Sequence, residues 1–377
     1  MVLGFPLKYT PSVSFSEYYD DNVFLVERDK SSDLVTVLAP QFRVSSTTRE
    51  ISSYMQYRAQ VEQYSKSPDL NTTKHFADLD WTAQLTKSVG LNISDHFRFT
   101  PDSTEVSSVG VVVPRGEVYR NDSDIQLQIP RVHLSYQHSF QAFEEPSFVD
   151  SQSHNFGEQM ALPLSPRYAV TQSYRMRYFT TEGNVDLQSH TAGAGLQYRF
   201  SPTFLFGASG GIVSSRTSSE DSFQYKPAVG IRIEKAFKRL KLNLLYLDDI
   251  EPQWRGALNY SLKRTLFRLN YSKELTAGGG VFGSAVNRQT ASASLQRTVG
   301  RWTEITLTAN YSTHKLISDV QDRFESYRGG VSLTYPLLRP WLNGGLHYSY
   351  IRQDSDNPVE QEFTRNQGTF SLTGIIP

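Results

Sequence analysis

Several features that are common in other classes of protein are missing from this sequence of 377 residues. It contains no cysteine, which excludes a disulfide framework and any zinc site built on thiolates. It has no surplus of charge, with 38 basic and 38 acidic residues, so a nucleic-acid-binding protein that depends on overall basicity is not expected. No apolar run approaches the length of about 18 residues that a membrane-spanning helix needs. The first ten residues also lack a basic segment followed by an apolar one, so we expect no signal peptide in this sequence.

The motifs of common active sites are missing as well. The eight histidines are scattered, and no HExxH pair or comparable metal-ligand spacing occurs. There is no GxSxG nucleophile elbow, and the glycine run Gly278–Gly280 is not followed by the lysine of a phosphate-binding loop. We therefore predict a protein that is not an enzyme and that has no metal site and no cofactor.

What the sequence does contain is an alternation of apolar and polar residues that recurs from end to end. In one segment Trp254, Leu258 and Tyr260 occupy one parity, while Arg255 and Asn259 occupy the other. Successive side chains of a β-strand point to opposite faces, so such a segment predicts a strand with one apolar and one polar face. The apolar parity repeatedly ends in tyrosine, which suits the two boundaries of a membrane, where one end of the ring is dry and the other wet.

Short turns and longer polar stretches separate these segments in a regular rhythm. Nine tight turns are predicted near Arg49, Lys87, Pro130–Arg131, Ser165–Arg167, Ser201–Pro202, Lys238–Arg239, Lys263–Arg264, Gly300–Arg301 and Arg339–Pro340. Longer stretches include Tyr19–Ser31, Ser65–Thr73, Thr100–Asp122, Phe143–Asn155 and Ala277–Asn287. The distance from Lys238 to Lys263 is too short for a long loop, so that hairpin is expected to be compact.

This rhythm is typical of outer-membrane barrels, which have short periplasmic turns and longer extracellular loops. We predict an all-β fold, a closed antiparallel transmembrane β-barrel of about 20 strands (range 16–20). Residues 1–377 are expected to form a single domain, embedded in the lipid of a bacterial outer membrane. A channel or porin follows as the function, rather than catalysis.

The polar parity is expected to line the lumen of this barrel, because charged side chains are costly against lipid and ordinary against water. Arginine outnumbers the acids on this parity, which favours anionic or hydroxyl-rich cargo; the alternative is that ion pairs merely brace the wall. The candidate lumen-lining residues are Arg58, Glu62, Arg175, Arg177, Arg199, Arg232, Arg255, Arg268, Arg328 and His347.

The most specific sequence motif lies in the first predicted hairpin. It reads PSVSFSEYYDDNVFL from Pro11, followed by Ser32-Asp33-Leu34 and Leu38-Ala39-Pro40. It resembles the β-barrel porins associated with exopolysaccharide loci, including relatives near PEP-CTERM sorting systems. The resemblance covers residues 11–40, and it implies an outer-membrane porin that exports a secreted polysaccharide together with periplasmic export proteins. Tyr19, Asp21 and Asn22 match its motif, either with a role in function or simply as residues that shape the loop.

Two other functions remain open on the sequence. One is a general or solute-specific diffusion porin, which would conduct ions in a planar bilayer whatever its neighbouring genes. The other is a scaffold barrel that sheaths a partner protein, such as a cytochrome, in its lumen.

Overall fold

The computed structural model describes residues 6–102, 116–144, 148–181, 187–217, 222–276, 286–316, 323–338, 341–355 and 362–375. Twenty strands form one sheet across these residues. They are β1 (Leu7–Asp20), β2 (Asp33–Thr47), β3 (Ile51–Tyr64), β4 (Thr72–Thr86), β5 (Val89–Thr100), β6 (Val118–Ile129), β7 (Val132–Phe143), β8 (Ser151–Pro163), β9 (Tyr168–Thr181), β10 (Leu187–Ser201), β11 (Phe204–Thr217), β12 (Gln224–Ala236), β13 (Leu240–Asp248), β14 (Pro252–Ser261), β15 (Thr265–Thr276), β16 (Val286–Val299), β17 (Thr303–Leu316), β18 (Arg323–Leu338), β19 (Leu342–Ser355) and β20 (Phe363–Ile375).

Each strand pairs antiparallel with its neighbours in the chain, and the sheet closes on itself. β1 pairs with β2 on one side and with β20 on the other, in a register that runs from Ser12 opposite Ile375 to Asp20 opposite Gln367. Closure leaves no edge strand, so backbone hydrogen bonds are satisfied within the sheet. The prediction of a closed antiparallel barrel is confirmed, at the upper end of the predicted range of strands.

The tight turns and the long loops lie at opposite ends of this barrel. Eight of the nine predicted turns connect strands of the described part of the chain, and the ninth, Arg339–Pro340, lies outside the described residues. In the β16–β17 turn Gly300 has a φ of +65°, a conformation that glycine adopts without steric cost. Following the rule for outer-membrane barrels, we call the end with the short turns periplasmic and the other end extracellular.

Two predicted loops were too long. β6 begins at Val118 and β8 at Ser151, so Asn121, Asp122 and the segment 151–155 belong to strands. Their polarity suggested loops, but paired backbone holds them in the sheet, and Asp122 lies on the polar face opposite Ser139. The stretch 103–115 lies outside the described residues, and so does 277–285.

The apolar parity of the strands forms the outer wall. In β14 the side chains of Trp254 and Tyr260 are 49% and 39% exposed, and their cross-strand partners Lys273 and Phe267 share that face. Arg255 and Asn259 point the other way, toward the interior. The described residues include no helix that is both long and apolar enough to cross a bilayer. A closed barrel that is apolar outside and polar inside belongs to the bacterial outer membrane.

Candidate functional site

The interior of the barrel is the candidate site, and its lining follows the polar parity of the strands. All ten candidate lumen residues occupy the inward parity of their strands. The structure separates them into two groups by height. One group lies open to the interior in the periplasmic half. The other lies toward the extracellular half, where its members are buried or half-buried except Arg255, whose side chain is 61% exposed.

In the periplasmic half the candidate side chains stay exposed. Arg199, Arg232, Arg268 and His347 belong to this group. Arg232 donates from Nε to Oε1 of Glu234 at 2.7 Å, two residues along the same strand face. An exposed pair of this kind contributes little to stability because water competes for both partners.

In the extracellular half, Arg365 of β20 joins two distant parts of the wall. Its Nε lies 2.8 Å from Oδ2 of Asp20 on the neighbouring strand β1. Its Nη1 lies 3.0 Å from Oδ2 of Asp102, which follows β5, five strands away around the sheet. The Arg365 side chain is only 2% exposed. The long loop after β5 therefore begins inside the barrel and is fixed there by a buried ion pair.

A second buried ion pair lies close to this one. Lys74 of β4 and Glu62 of β3 approach to 2.8 Å, and both side chains are 1% exposed. The hydroxyls of Tyr18 and Tyr64 also donate to Oε2 of Glu62, at 3.3 and 3.2 Å. The sequence predicted that Glu62 faces lumenal water. In the structure its side chain is instead buried against Lys74, Tyr18 and Tyr64. Its charge is compensated by Lys74 and does not face a passing solute.

The compact β13–β14 hairpin supplies a third inward contact. Its tip carries Asp249, which pairs with Arg177 of β9 at 3.2 Å. Nη2 of Arg177 donates to Oε1 of Gln253 at 3.2 Å, and Nε2 of Gln253 donates to Asp249 at 2.7 Å. Ile250 packs beside these groups against Phe179, Leu187 and Leu275. Because β9 and β14 are five strands apart in the sheet, these contacts cross the interior.

Below this bridge a cavity of about 490 Å³ is lined by many basic groups. We call it the cationic cavity and define it by Arg175, Arg177, Arg255 and Arg288. Glu274 faces Arg255 at 2.9 Å and also pairs with Arg288, so one carboxylate serves two guanidinium groups. Arg120 and His96 also line the cavity, together with Asp122 and Asp124. Nη1 of Arg177 is buried and has no hydrogen-bond acceptor in the described part of the chain.

Arg288 was not among the residues chosen from the sequence, although it lines this cavity and pairs with Glu274. The start of β16 reads Val286-Asn-Arg-Gln-Thr290, with polar residues on both parities. Alternation alone therefore did not show which side chains point inward. The inward position of Arg288 follows from the register of the sheet, in which it lies opposite Glu274. Glu274 was not chosen from the sequence either.

The first-loop motif fastens the extracellular end of β1 to β20. Asn22 donates from Nδ2 to the carbonyls of Val26 and Thr364 at 2.6 and 2.9 Å, and its Oδ1 accepts from the backbone of Val26 at 3.0 Å. Asp21 accepts from the backbone N–H and the Nδ2 of Asn366 at 2.6 and 2.7 Å. Tyr19 points outward and is 52% exposed. The contacts of Asp21 and Asn22 are those of residues that shape a loop.

These contacts turn loop 21–32 toward the interior. Leu25, with a φ of +56°, is 1% exposed and packs against Ile351 and Phe363. Val23 packs with Val35, Val37 and Tyr64. Apolar side chains inside the mouth of a barrel exclude water there, so this loop narrows the extracellular entrance.

One carboxyl pair lies at the same end, outside the strands. Burial, together with the hydrogen bond that the protonated Glu117 carboxyl donates to the neighbouring carboxylate of Glu144, raises the pKa of Glu117 above its ordinary value. The backbone of Glu144 also donates to the carbonyl of Glu117 at 3.0 Å. Among the described residues no group of three or more histidine, aspartate or glutamate side chains could hold a metal ion.

Comparison with known proteins gives similarity at the level of architecture alone. No protein family matches the sequence, and no curated protein does. Among solved structures, the outer membrane protein OpdK from Pseudomonas aeruginosa is 10% identical and has a TM-score of 0.42, with coverage of 98% of this chain and 99% of that one. OccAB3 from Acinetobacter baumannii is also 10% identical, with a TM-score of 0.41 and coverage of 98% and 99%. The siderophore receptor PirA from P. aeruginosa is 9% identical, with a TM-score of 0.47 and coverage of 97% and 80%.

Proposed function

We propose that this protein is a diffusion channel of the outer membrane that selects small anionic solutes. The cationic cavity carries the proposal. Basic groups are in excess around an interior space of about 490 Å³, which is lined by five arginines, Arg120, Arg175, Arg177, Arg255 and Arg288, and by three acids, Asp122, Asp124 and Glu274. A cluster of like charges in a confined, partly desolvated space attracts counter-charged solutes. Guanidinium groups suit carboxylate and phosphate because they can donate two parallel hydrogen bonds.

The size of the interior supports a small solute over a polymer. A barrel of 16 to 18 strands already encloses an aqueous channel. In this protein the Arg177–Asp249 contact crosses that space, and Asp102 is held inward by Arg365. A polysaccharide exporter, expected from the first-hairpin resemblance, would need these contacts to break for each passing chain. A scaffold barrel around a cytochrome would need even more room.

The test is ion selectivity in planar bilayers under a salt gradient. Purified protein should form channels whose reversal potential shows a preference for chloride over potassium. The Arg175→Gln and Arg255→Gln variants should each shift the reversal potential toward zero, because each removes one positive charge from the cavity. Arg297→Gln is the matched control, since Arg297 lies on the outward parity near the periplasmic end of β16.

Two results would count against the proposal. One is a channel that passes potassium and chloride equally well. The other is an Arg297→Gln variant that shifts the potential as much as the cavity variants do. A strain that lacks the gene and has lost its surface polysaccharide would instead favour the export function.

A further inference from the structure

Two sets of contacts hold the tip of the β13–β14 hairpin, and they differ in quality. Within the hairpin, Oδ1 of Asp249 accepts from Nε2 of Gln253 and from the backbone N–H of Ile250, both at 2.7 Å. Across the interior, Nη2 of Arg177 lies 3.2 Å from Oδ2 of Asp249 and 3.2 Å from Oε1 of Gln253. Oδ2 is buried, yet it accepts no hydrogen bond of good geometry from a described residue. The tip is therefore well bonded within itself and loosely bonded to the opposite wall.

Arg177 has donor capacity that this contact does not use. Its side chain is only 8% exposed, and both of its acceptors on the hairpin lie at Nη2. Nη1 is buried as well and donates to no acceptor in the part of the chain that the structure describes. A buried N–H without an acceptor is costly, because it has lost its water and gained no partner in exchange. The guanidinium group is therefore better matched by an acceptor with two oxygens than by Asp249 in its present position.

The cationic cavity lies beside this unused donor. Arg177 and Gln253 line the cavity as well as forming the bridge across the interior. Arg175 also lines it, two residues from Arg177 on the same face of β9, and it makes no ion pair or hydrogen bond with a described residue. A phosphate or carboxylate group that Arg175 attracts into the cavity thus meets the guanidinium of Arg177 at the cavity wall. It can accept from Nη1 and Nη2 in parallel, which Asp249 does not do.

We propose that an oxyanion bound by Arg175 and Arg177 displaces Asp249 and releases the hairpin tip, so that the solute opens the constriction that it must pass. The inference rests on the proposed function, because it requires small anions to enter the cationic cavity. Release breaks few contacts. The bonds of Asp249 to Gln253 and Ile250 are internal to the hairpin and move with it, so the losses are the contacts with Arg177 and the packing of Ile250. Arg177 exchanges one anion for another and is never left buried without a partner.

The absence of cysteine allows the tip to be followed with a single introduced thiol. Ile250→Cys places the thiol at the tip, and Asn259→Cys places a control thiol on the inner face of the same hairpin, near its periplasmic end. Each protein is treated with an uncharged maleimide in potassium chloride, with and without inorganic phosphate at equal ionic strength. Chloride is a single atom and cannot offer two acceptor oxygens, so it serves as the background anion. Phosphate should accelerate the modification of Ile250→Cys several-fold and leave Asn259→Cys unchanged. No acceleration at Ile250→Cys, or the same acceleration at both thiols, would overturn the proposal.

Further variants in the Ile250→Cys background show whether displacement of Asp249 is the cause. Asp249→Ala should react fast without phosphate and gain nothing from it, because the tip is already released. Asp248→Ala is the matched control and should keep the full response, since Asp248 is bonded by the hydroxyl of Tyr246 and not by Arg177. Arg175→Gln should need a higher phosphate concentration for the same acceleration. A phosphate response that survives Asp249→Ala would contradict the inference.

Single-channel recording of the wild-type protein gives a second measurement that needs no cysteine. Phosphate should lengthen several-fold the time spent in a state of higher conductance, and Asp249→Ala should stay in that state without phosphate. A phosphate effect that is only a block of the current would count against release. An anion-selective channel that responds to phosphate in neither measurement would refute this inference alone and leave the proposed function in place. A channel without any preference for anions would remove both.

Discussion

The extracellular and periplasmic halves of the lumen are built from the same kinds of residue and behave differently. In the periplasmic half Arg199, Arg268 and His347 remain exposed to the interior. In the extracellular half several charged groups are buried in pairs, as in Arg365 with Asp20 and Lys74 with Glu62, although Arg255 stays 61% exposed. The difference arises because, among the residues that the structure describes, the loops that reach inward lie at the extracellular end. Where a loop covers a charge, water is removed and the charge needs a partner; where none does, water solvates it.

The largest change in stability is expected when a buried charge is removed, and removal of an exposed charge provides the comparison. Arg365→Leu should lower the free energy of unfolding by about 3–5 kcal/mol, because it leaves the buried carboxylate of Asp20 without its guanidinium partner. Arg268→Leu in the periplasmic half should change it by no more than about 0.5 kcal/mol. Denaturant unfolding in detergent micelles measures both. Similar losses for the two variants would remove the distinction between the halves.

The next test compares Asp249, which makes the inward contact of the β13–β14 hairpin, with the adjacent residue Asp248. Asp249→Ala should cost about 1–3 kcal/mol, because Arg177 and Gln253 lose a buried acceptor. It should also raise the single-channel conductance, since the tip is no longer held across the interior. Asp248→Ala is the matched control: the adjacent carboxylate points outward and is bonded by the hydroxyl of Tyr246. An unchanged conductance in Asp249→Ala would mean that this bridge does not narrow the pore.

The first-loop motif allows a test within the extracellular half. Asn22→Ala should lower the free energy of unfolding by about 1–3 kcal/mol, because the carbonyl of Thr364 and both backbone groups of Val26 lose their partner. Tyr19→Leu, on the outer face of the same motif, should leave stability within about 0.5 kcal/mol of wild type. Limited proteolysis of loop 21–32 gives a second measurement, and it should accelerate only in Asn22→Ala. Faster cleavage in Tyr19→Leu would be evidence against a latch made by Asn22.

The smallest expected effect concerns pH. Because the folded state raises the pKa of Glu117, folded protein binds this proton more tightly than the unfolded chain does. The contribution to stability is therefore present at acid pH and is lost as pH rises through the raised folded-state pKa. Glu117→Gln should raise the melting temperature slightly at neutral pH and leave it unchanged at a pH below the ordinary carboxyl pKa.

Glu27→Gln serves as the control for this pH effect. Its side chain is 59% exposed in the first loop, so the change should have no pH-dependent consequence. A Glu117→Gln variant that is less stable than wild type at neutral pH would show that the two carboxyls do not repel each other.

Much of the architecture was predictable, because strand alternation and turn spacing are local properties. The Trp254–Leu262 alternation and the turn at Lys263–Arg264 each need only a few neighbouring residues. The candidate site was harder to predict. Glu62 and Arg177 lie on the expected face, yet Glu62 is sequestered by Lys74 and Arg177 is bound by a residue 72 positions along the chain. Arg288 was missed because both parities of its strand segment are polar.

The sequence by itself determined a barrel of about 20 strands, the inward parity of the ten candidate lumen residues and the compactness of the β13–β14 hairpin. Each of these follows from the period of two and from the residues that end a strand. Only the tertiary structure decided which charges are solvated and which are buried, because that depends on loops that fold back over the mouth. Contacts such as Arg365 with Asp102 join residues 263 positions apart, and no local pattern encodes a distance across a closed sheet.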